Sequence, residues 1–196
     1  MKKRQFLGAV AAAGALPSLA AAAVKPGKAG ERGPTLLTVT GAIAKPNRGS
    51  FDRVADQMMH RQRLSFEKAY TFDFAALAAL PAVTIKPTLE YDGRTHTLSG
   101  PLLLDVLKTA GAQAHDSANL VLRAVDGYAV AVTLARAKAQ RFIVATHLDG
   151  APMALGGLGL LWAIYDADRV PEMASRPVGE RFSTCPWALY HIDVQA

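Results

Sequence analysis

The sequence predicts an α+β domain built on mixed sheets, and three observations predict it. Short β-branched or alternating runs recur along the chain. Asp-Gly pairs punctuate them at 92–93, 126–127 and 149–150. Only "GPLLLDVLKTAGA" (residues 100–112) carries a full helical signature. Strands and helices therefore do not alternate as a βαβ series requires.

The elements follow in order. "TLLTVTGAI" (35–43) alternates and is β-branched, a strand. "FDRVADQMMHRQRLSFEKAY" (51–70) is compatible with a helix, with Val54, Met58 and Arg61 at helical spacing. "TFDFAALAALP" (71–81) predicts a second helix, capped by Thr71 and stopped by Pro81. "AVTIKPTLEYDGRTHTLSG" (82–100) predicts two short strands, the second after the Asp92-Gly93 turn. In the 100–112 helix Pro101 falls near the first turn, Leu103, Val106, Leu107 and Ala110 share a face, and Gly111 is the natural C′ residue. "NLVLRAVDGYAVAVTL" and "RFIVATHLDGAPM" each read as strands around an Asp-Gly turn. "LLWAIYD" and "PWALYHIDV" are further strands, the last alternating Trp187, Leu189 and His191 against Ala188, Tyr190 and Ile192.

The N-terminus reads as an export signal over residues 1–23. Lys2, Lys3 and Arg4 precede an apolar stretch from Phe6 to Leu16, then Pro17 and small residues. "KRQFL" lies one residue from the twin-arginine pattern, and the ordinary secretory route fits the same residues. Residues 24–34, rich in glycine, proline and charge, form a flexible leader to a domain over 35–196. Cleavage removes three of the 22 basic residues and none of the 16 acids, so the net charge of +6 becomes +3. With no basic run left, nothing points to nucleic acid. The single cysteine, Cys185, excludes an internal disulfide and cysteine-rich zinc sites.

Few residue patterns carry chemistry by themselves. In "GAPMALGGLGLLWAIYDAD" (150–168) the pair Gly157 and Gly159 mimics the start of a dinucleotide fingerprint. Trp162 occupies the third glycine position and a strand follows, so no helix N-terminus is there to hold a phosphate. A tight turn is the plain reading. His147-x-Asp149 and His191-x-Asp193 pair a base with an acid, without a third ligand nearby for a metal. Ser183 has no identifiable base. Asp126-Gly127-Tyr128 is a hairpin turn that also presents an aromatic ring.

Taken together, "FDFAALAALPAVTI", "GPLLLDVLKTAGA", "AVDGYAVAV", "VATHLDGAPMALGGLGLLWAIYD" and "CPWALYHIDV" resemble, in order and spacing, the molybdopterin-binding domain of the sulfite oxidase family over residues 35–194. The resemblance implies that family's α+β fold, with a ligand in a groove between loops. It also exposes a departure. The family's enzymes bind molybdenum through a cysteine after the strand that "AVTIKPTLEYDG" resembles, where this chain has Lys86, Pro87 and Thr88. Proline offers no donor, and the glycine loop has no Arg or Lys for a cofactor phosphate, which disfavours molybdenum. The chain is more similar to small exported members that lack the cysteine. Some of these bind reduced pterins in the periplasm and signal to membrane proteins of cyclic di-GMP metabolism. That likeness implies a pterin slot walled by Tyr128, Trp162 and Trp187, with Met153, Gly157 and Gly159 beside it. Asp126 would accept from ring N–H groups, and Arg181 and Ser183 would hold the polar side chain. Two rivals stay open: a molybdopterin-dependent oxidoreductase or its accessory subunit, and an interaction module with an empty groove.

Overall fold

The computed structural model describes residues 32–196, so the expected export signal and most of the leader lie outside the described residues. The chain enters at β1 (Leu37–Gly41) and leaves through β11 (Leu189–Gln195), and these two strands pair in parallel, Thr38 opposite His191 and Gly41 opposite Val194. A parallel pair needs a crossover; here everything between the first and last strands supplies it.

Around that pair stand β2 (Tyr70–Phe72), β5 (Asn119–Ala124) and β6 (Ala129–Thr133), all antiparallel, in the order β2-β1-β11-β5-β6. A second sheet joins β3 (Ala82–Ile85), β4 (Leu98–Pro101), β8 (His147–Leu148) and β9 (Ala151–Pro152) in that order. β7 (Ile143–Ala145) and β10 (Trp162–Ile164) form a third, wholly buried pair. The helices are short: α1 (Gln57–Arg61), α2 (Phe74–Ala78), α3 (Leu103–Thr109), α4 (Leu134–Ala139) and α5 (Pro171–Ala174). This is the mixed α+β architecture the sequence predicts.

Turn chemistry explains the hairpins. Asp149 and Gly150 both have positive φ, +48° and +83°, as the favoured two-residue hairpin between β8 and β9 demands. Between β5 and β6, Gly127 takes φ +94° while the Asp126 carboxylate accepts the Tyr128 N–H at 2.9 Å. Helix α3 is too short to persist alone. Burial of Leu103, Val106 and Leu107 holds it, at roughly 1.5–3 kcal/mol for each side chain.

Two helix expectations are corrected. Over residues 51–70 only α1 is helical and only its Met59 is buried; Arg63 at φ +59° ends it, and Phe51 N–H bonds Phe66 O to close a loop. One buried side chain is too little packing to extend a helix. The cap of α2 is Asp73, which accepts from Ala76 N–H at 2.7 Å, because Thr71 is engaged in β2 opposite Thr38.

The alternation expected of β11 also fails. Leu189, Tyr190, His191 and Ile192 are all buried, with a register shift after Leu189 and Ala188 at φ +49°. The strand is central and packed on both faces. His191 lies within this packing, its Nε2 2.9 Å from Thr40 Oγ1, while the Thr40 hydroxyl donates to Asp193 at 3.1 Å. Burial, and then the Arg123 charge opposite it, push its pKa down to about 4.

Candidate functional site

Three segments converge on a slot of about 290 Å³. The β5–β6 turn brings Asp126 and Tyr128, the loop before β11 brings Ser183 and Trp187, and the loop after β3 brings Glu90 and Tyr91. The Tyr128 hydroxyl donates to the Ser183 carbonyl at 2.5 Å, fastening the hairpin to the C-terminal loop. Three aromatic rings remain open to solvent: Tyr128, Trp187 and Tyr91. Tyr91 tilts toward Trp162, centroids 6.4 Å apart. Burial, with the Glu90 charge added, pushes the Tyr91 phenol up to about 12, so it stays a neutral donor.

The slot carries two carboxylates, Glu90 and Asp126, and no cation lines it. Its floor includes Cys185, a placement that the sequence did not reveal. That thiol is buried, and burial pushes its pKa well up, so it remains a thiol rather than the thiolate a soft metal needs. In the preceding loop Lys86 and Thr88 donate their backbone N–H groups to Asp166 and Asp168. The slot's lining offers neither a thiolate nor a cation for a phosphate, so it does not fit a phosphorylated molybdenum cofactor.

Of the residues expected at a pterin slot, Asp126, Tyr128, Ser183 and Trp187 come together. The others do not line it. Trp162 is 1% exposed and donates its indole N–H to Cys185 O at 2.9 Å, so it supports the slot from beneath instead of walling it. Arg181 is consumed elsewhere: its guanidinium donates to Asp168 at 2.6 Å and to the carbonyls of Ala174 and Arg176. Met153 is buried against Gly159, whose Cβ would approach Met153 Cβ to 3.2 Å and Leu161 N to 2.9 Å. Gly159 is thus a close-packing glycine, as the plain reading has it. Gly157 sits in an exposed turn. Glu90 and Tyr91 join the slot beyond the expected set; their signal in the sequence is "EYDG", an aromatic beside an Asp-Gly turn much as in "DGY".

The glycine turn serves a second, larger cavity of about 740 Å³. Leu155 and Leu160 from that turn line it together with Met58 and Met59 of α1, Leu36 and Tyr190. Its charged groups, Arg48 and Asp56, are paired with each other. Among the described residues no cluster of three His, Cys, Asp or Glu could hold a metal.

No protein-family model matches the chain, and no curated protein does. Among solved structures, the sulfane dehydrogenase SoxCD from Paracoccus pantotrophus is similar over 81% of this chain, with a TM-score of 0.51 and 11% identity. The likeness is one of fold. This chain spans 37% of the length of that one.

Proposed function

We propose that the chain is an exported, periplasmic protein that binds a reduced pterin in the slot and acts as a non-catalytic sensor or adaptor for a membrane signalling partner, such as the periplasmic domain of a cyclic di-GMP signalling protein. The observation that carries this reading is the slot's chemistry: two carboxylates, three open aromatic rings and no cation. The guanine-like edge of a pterin offers an amide N–H and an amino group, donors that a carboxylate accepts in parallel. Its flat ring suits stacking on Trp187 or Tyr128. A phosphate would meet only negative charge. The volume lies at the small end of ligand pockets, about 300 Å³, suited to a bicyclic ring and not to a dinucleotide.

Ligand occupancy reaches a partner only if the ligand favours one arrangement of the surrounding loops. The Tyr128–Ser183 hydrogen bond supports such a link, because it joins two of the three segments at the slot's rim. Calorimetry on the full chain tests the reading. Tetrahydrobiopterin should bind with a dissociation constant of about micromolar order, and its phosphorylated derivative should bind more weakly. Absence of heat with tetrahydrobiopterin would sink the proposal.

A second reading, a molybdopterin-dependent oxidoreductase or its accessory subunit with any metal held without cysteine, draws on the fold likeness to a sulfane dehydrogenase. Stoichiometric molybdenum in protein purified from its own periplasm would favour it.

A further inference from the structure

Strand β3 is the outer strand of its sheet, paired with β4 on one side only. Ladder alternation tells which of its backbone groups face outward. Pro87 O accepts from His96 N–H toward β4, and Ile85 lies opposite Leu98 in the same register. The odd-numbered residues therefore bond inward and the even-numbered ones outward. Two further contacts agree. Ser99, opposite Thr84, turns its carbonyl away to accept Thr146 N–H, and Lys86 and Thr88 point their N–H groups out to Asp166 and Asp168 at 3.3 and 2.7 Å.

Those two aspartates close the edge at Lys86 and Thr88 and leave it open at Ala82 and Thr84. Both residues are exposed, and among the described residues their outward main-chain groups have no partner. Beside this open stretch, along Val83 to Lys86, runs a groove of about 400 Å³, lined also by residues 139–141 and by Asp166, Arg169 and Val170. Its charges are Lys86, Arg141 and Arg169 against Asp166 alone. All three cations are exposed, and Arg169 approaches Asp166 only to 3.5 Å. The second carboxylate oxygen of Asp166 is buried and unpartnered, an acceptor awaiting an N–H. A lysine on an edge often serves only to repel other strands. Here the neighbouring segment stands back from the edge, and the residues facing the gap are basic.

We propose that the β3 edge is a docking site for an extended, acidic peptide segment of a partner, added as a strand antiparallel or parallel to Ala82–Ile85. The main chain of Ala82 and Thr84 supplies the ladder bonds, and Lys86, Arg141 and Arg169 select carboxylate side chains. Asp166 takes one more main-chain N–H where the partner strand passes it. The inference stands apart from the pterin reading: it uses a different cavity and needs no small molecule.

Fluorescence anisotropy on the full chain tests it, with three labelled peptides of about eight residues. One alternates glutamate with valine, one replaces glutamate by lysine, and one repeats the first with alternate backbone amides N-methylated. The first should bind at about micromolar level, the second not at all, and the third at least tenfold more weakly. A double Lys86→Glu, Arg169→Glu variant should lose at least tenfold for the acidic peptide with an unchanged unfolding midpoint, both sites being exposed. Trp187→Ala should leave peptide binding intact, which separates this site from the slot. Equal binding of the lysine peptide, equal binding of the N-methylated one, or no binding of the acidic peptide each overturns the proposal.

Discussion

The two cavities on either side of the Val125–Ala188 backbone bond differ in the opposite sense from their sizes. The larger is walled by Leu155, Leu160 and Met58, and its one charged pair is self-satisfied. The smaller holds two carboxylates and three accessible rings. Apolar walls gain free energy from nearly any apolar occupant and give it no orientation. Placed acceptors discriminate, because a ligand without matching donors leaves them desolvated and unpaired. Capacity and selectivity thus belong to different cavities, although neighbouring residues (Ala124 and Val125, Trp187 and Ala188) line the two.

The largest expected effect strikes both cavities together and serves as their common reference. His191 lies in the strand that leads from both, neutral in the fold with its pKa near 4 against 6.5. Between those values the unfolded chain holds the extra proton. Its contribution is therefore complete above pH 6.5 and lost as pH falls toward 4, up to about 3 kcal/mol. Urea midpoints across that window should fall with pH, and a His191→Gln variant should show a flatter curve.

Next comes the change that should divide the cavities. Trp187→Ala should weaken tetrahydrobiopterin binding by roughly tenfold to a hundredfold, the range of base–aromatic stacking. Leu155→Ala should leave it unchanged. If both variants bind alike, the ligand is not in the slot. A smaller effect is expected for the carboxylates: Glu90→Gln and Asp126→Asn should each cost about tenfold, read by the same calorimetry. The smallest concerns the apolar cavity, where Leu155→Ser should weaken binding of an apolar dye about twofold, roughly 0.4 kcal/mol, because Leu155 is 67% exposed and loses little contact. Pterin affinity should not move with it.

Particular residues show how far the sequence could be read. Asp-Gly turns at 126–127 and 149–150 were legible because a positive φ is a local demand that few residues meet. The face of α3 was legible because Leu103, Val106 and Leu107 repeat with the helix period. Trp162 misled, since an indole beside a glycine turn looks the same in sequence whether it faces a ligand or bonds Cys185 O beneath it. Arg181 misled for a related reason: its partner Asp168 is 13 residues away, and no local pattern announces the pairing. The segment 51–70 has helical spacing, but the core touches it at Met59.

By itself the sequence determined the α+β class, the positions of the Asp-Gly turns and the absence of a cysteine at residues 86–88, all properties of short windows. Only the tertiary structure decided which aromatics are open, which acids share a slot and which strand edge is left bare. Glu90 and Asp126 are 36 residues apart in the chain, and they line one cavity because the loop after β3, from the second sheet, meets the β5–β6 turn of the first. Long-range closure of that kind leaves no local trace, since its free energy comes from burial summed over the whole core.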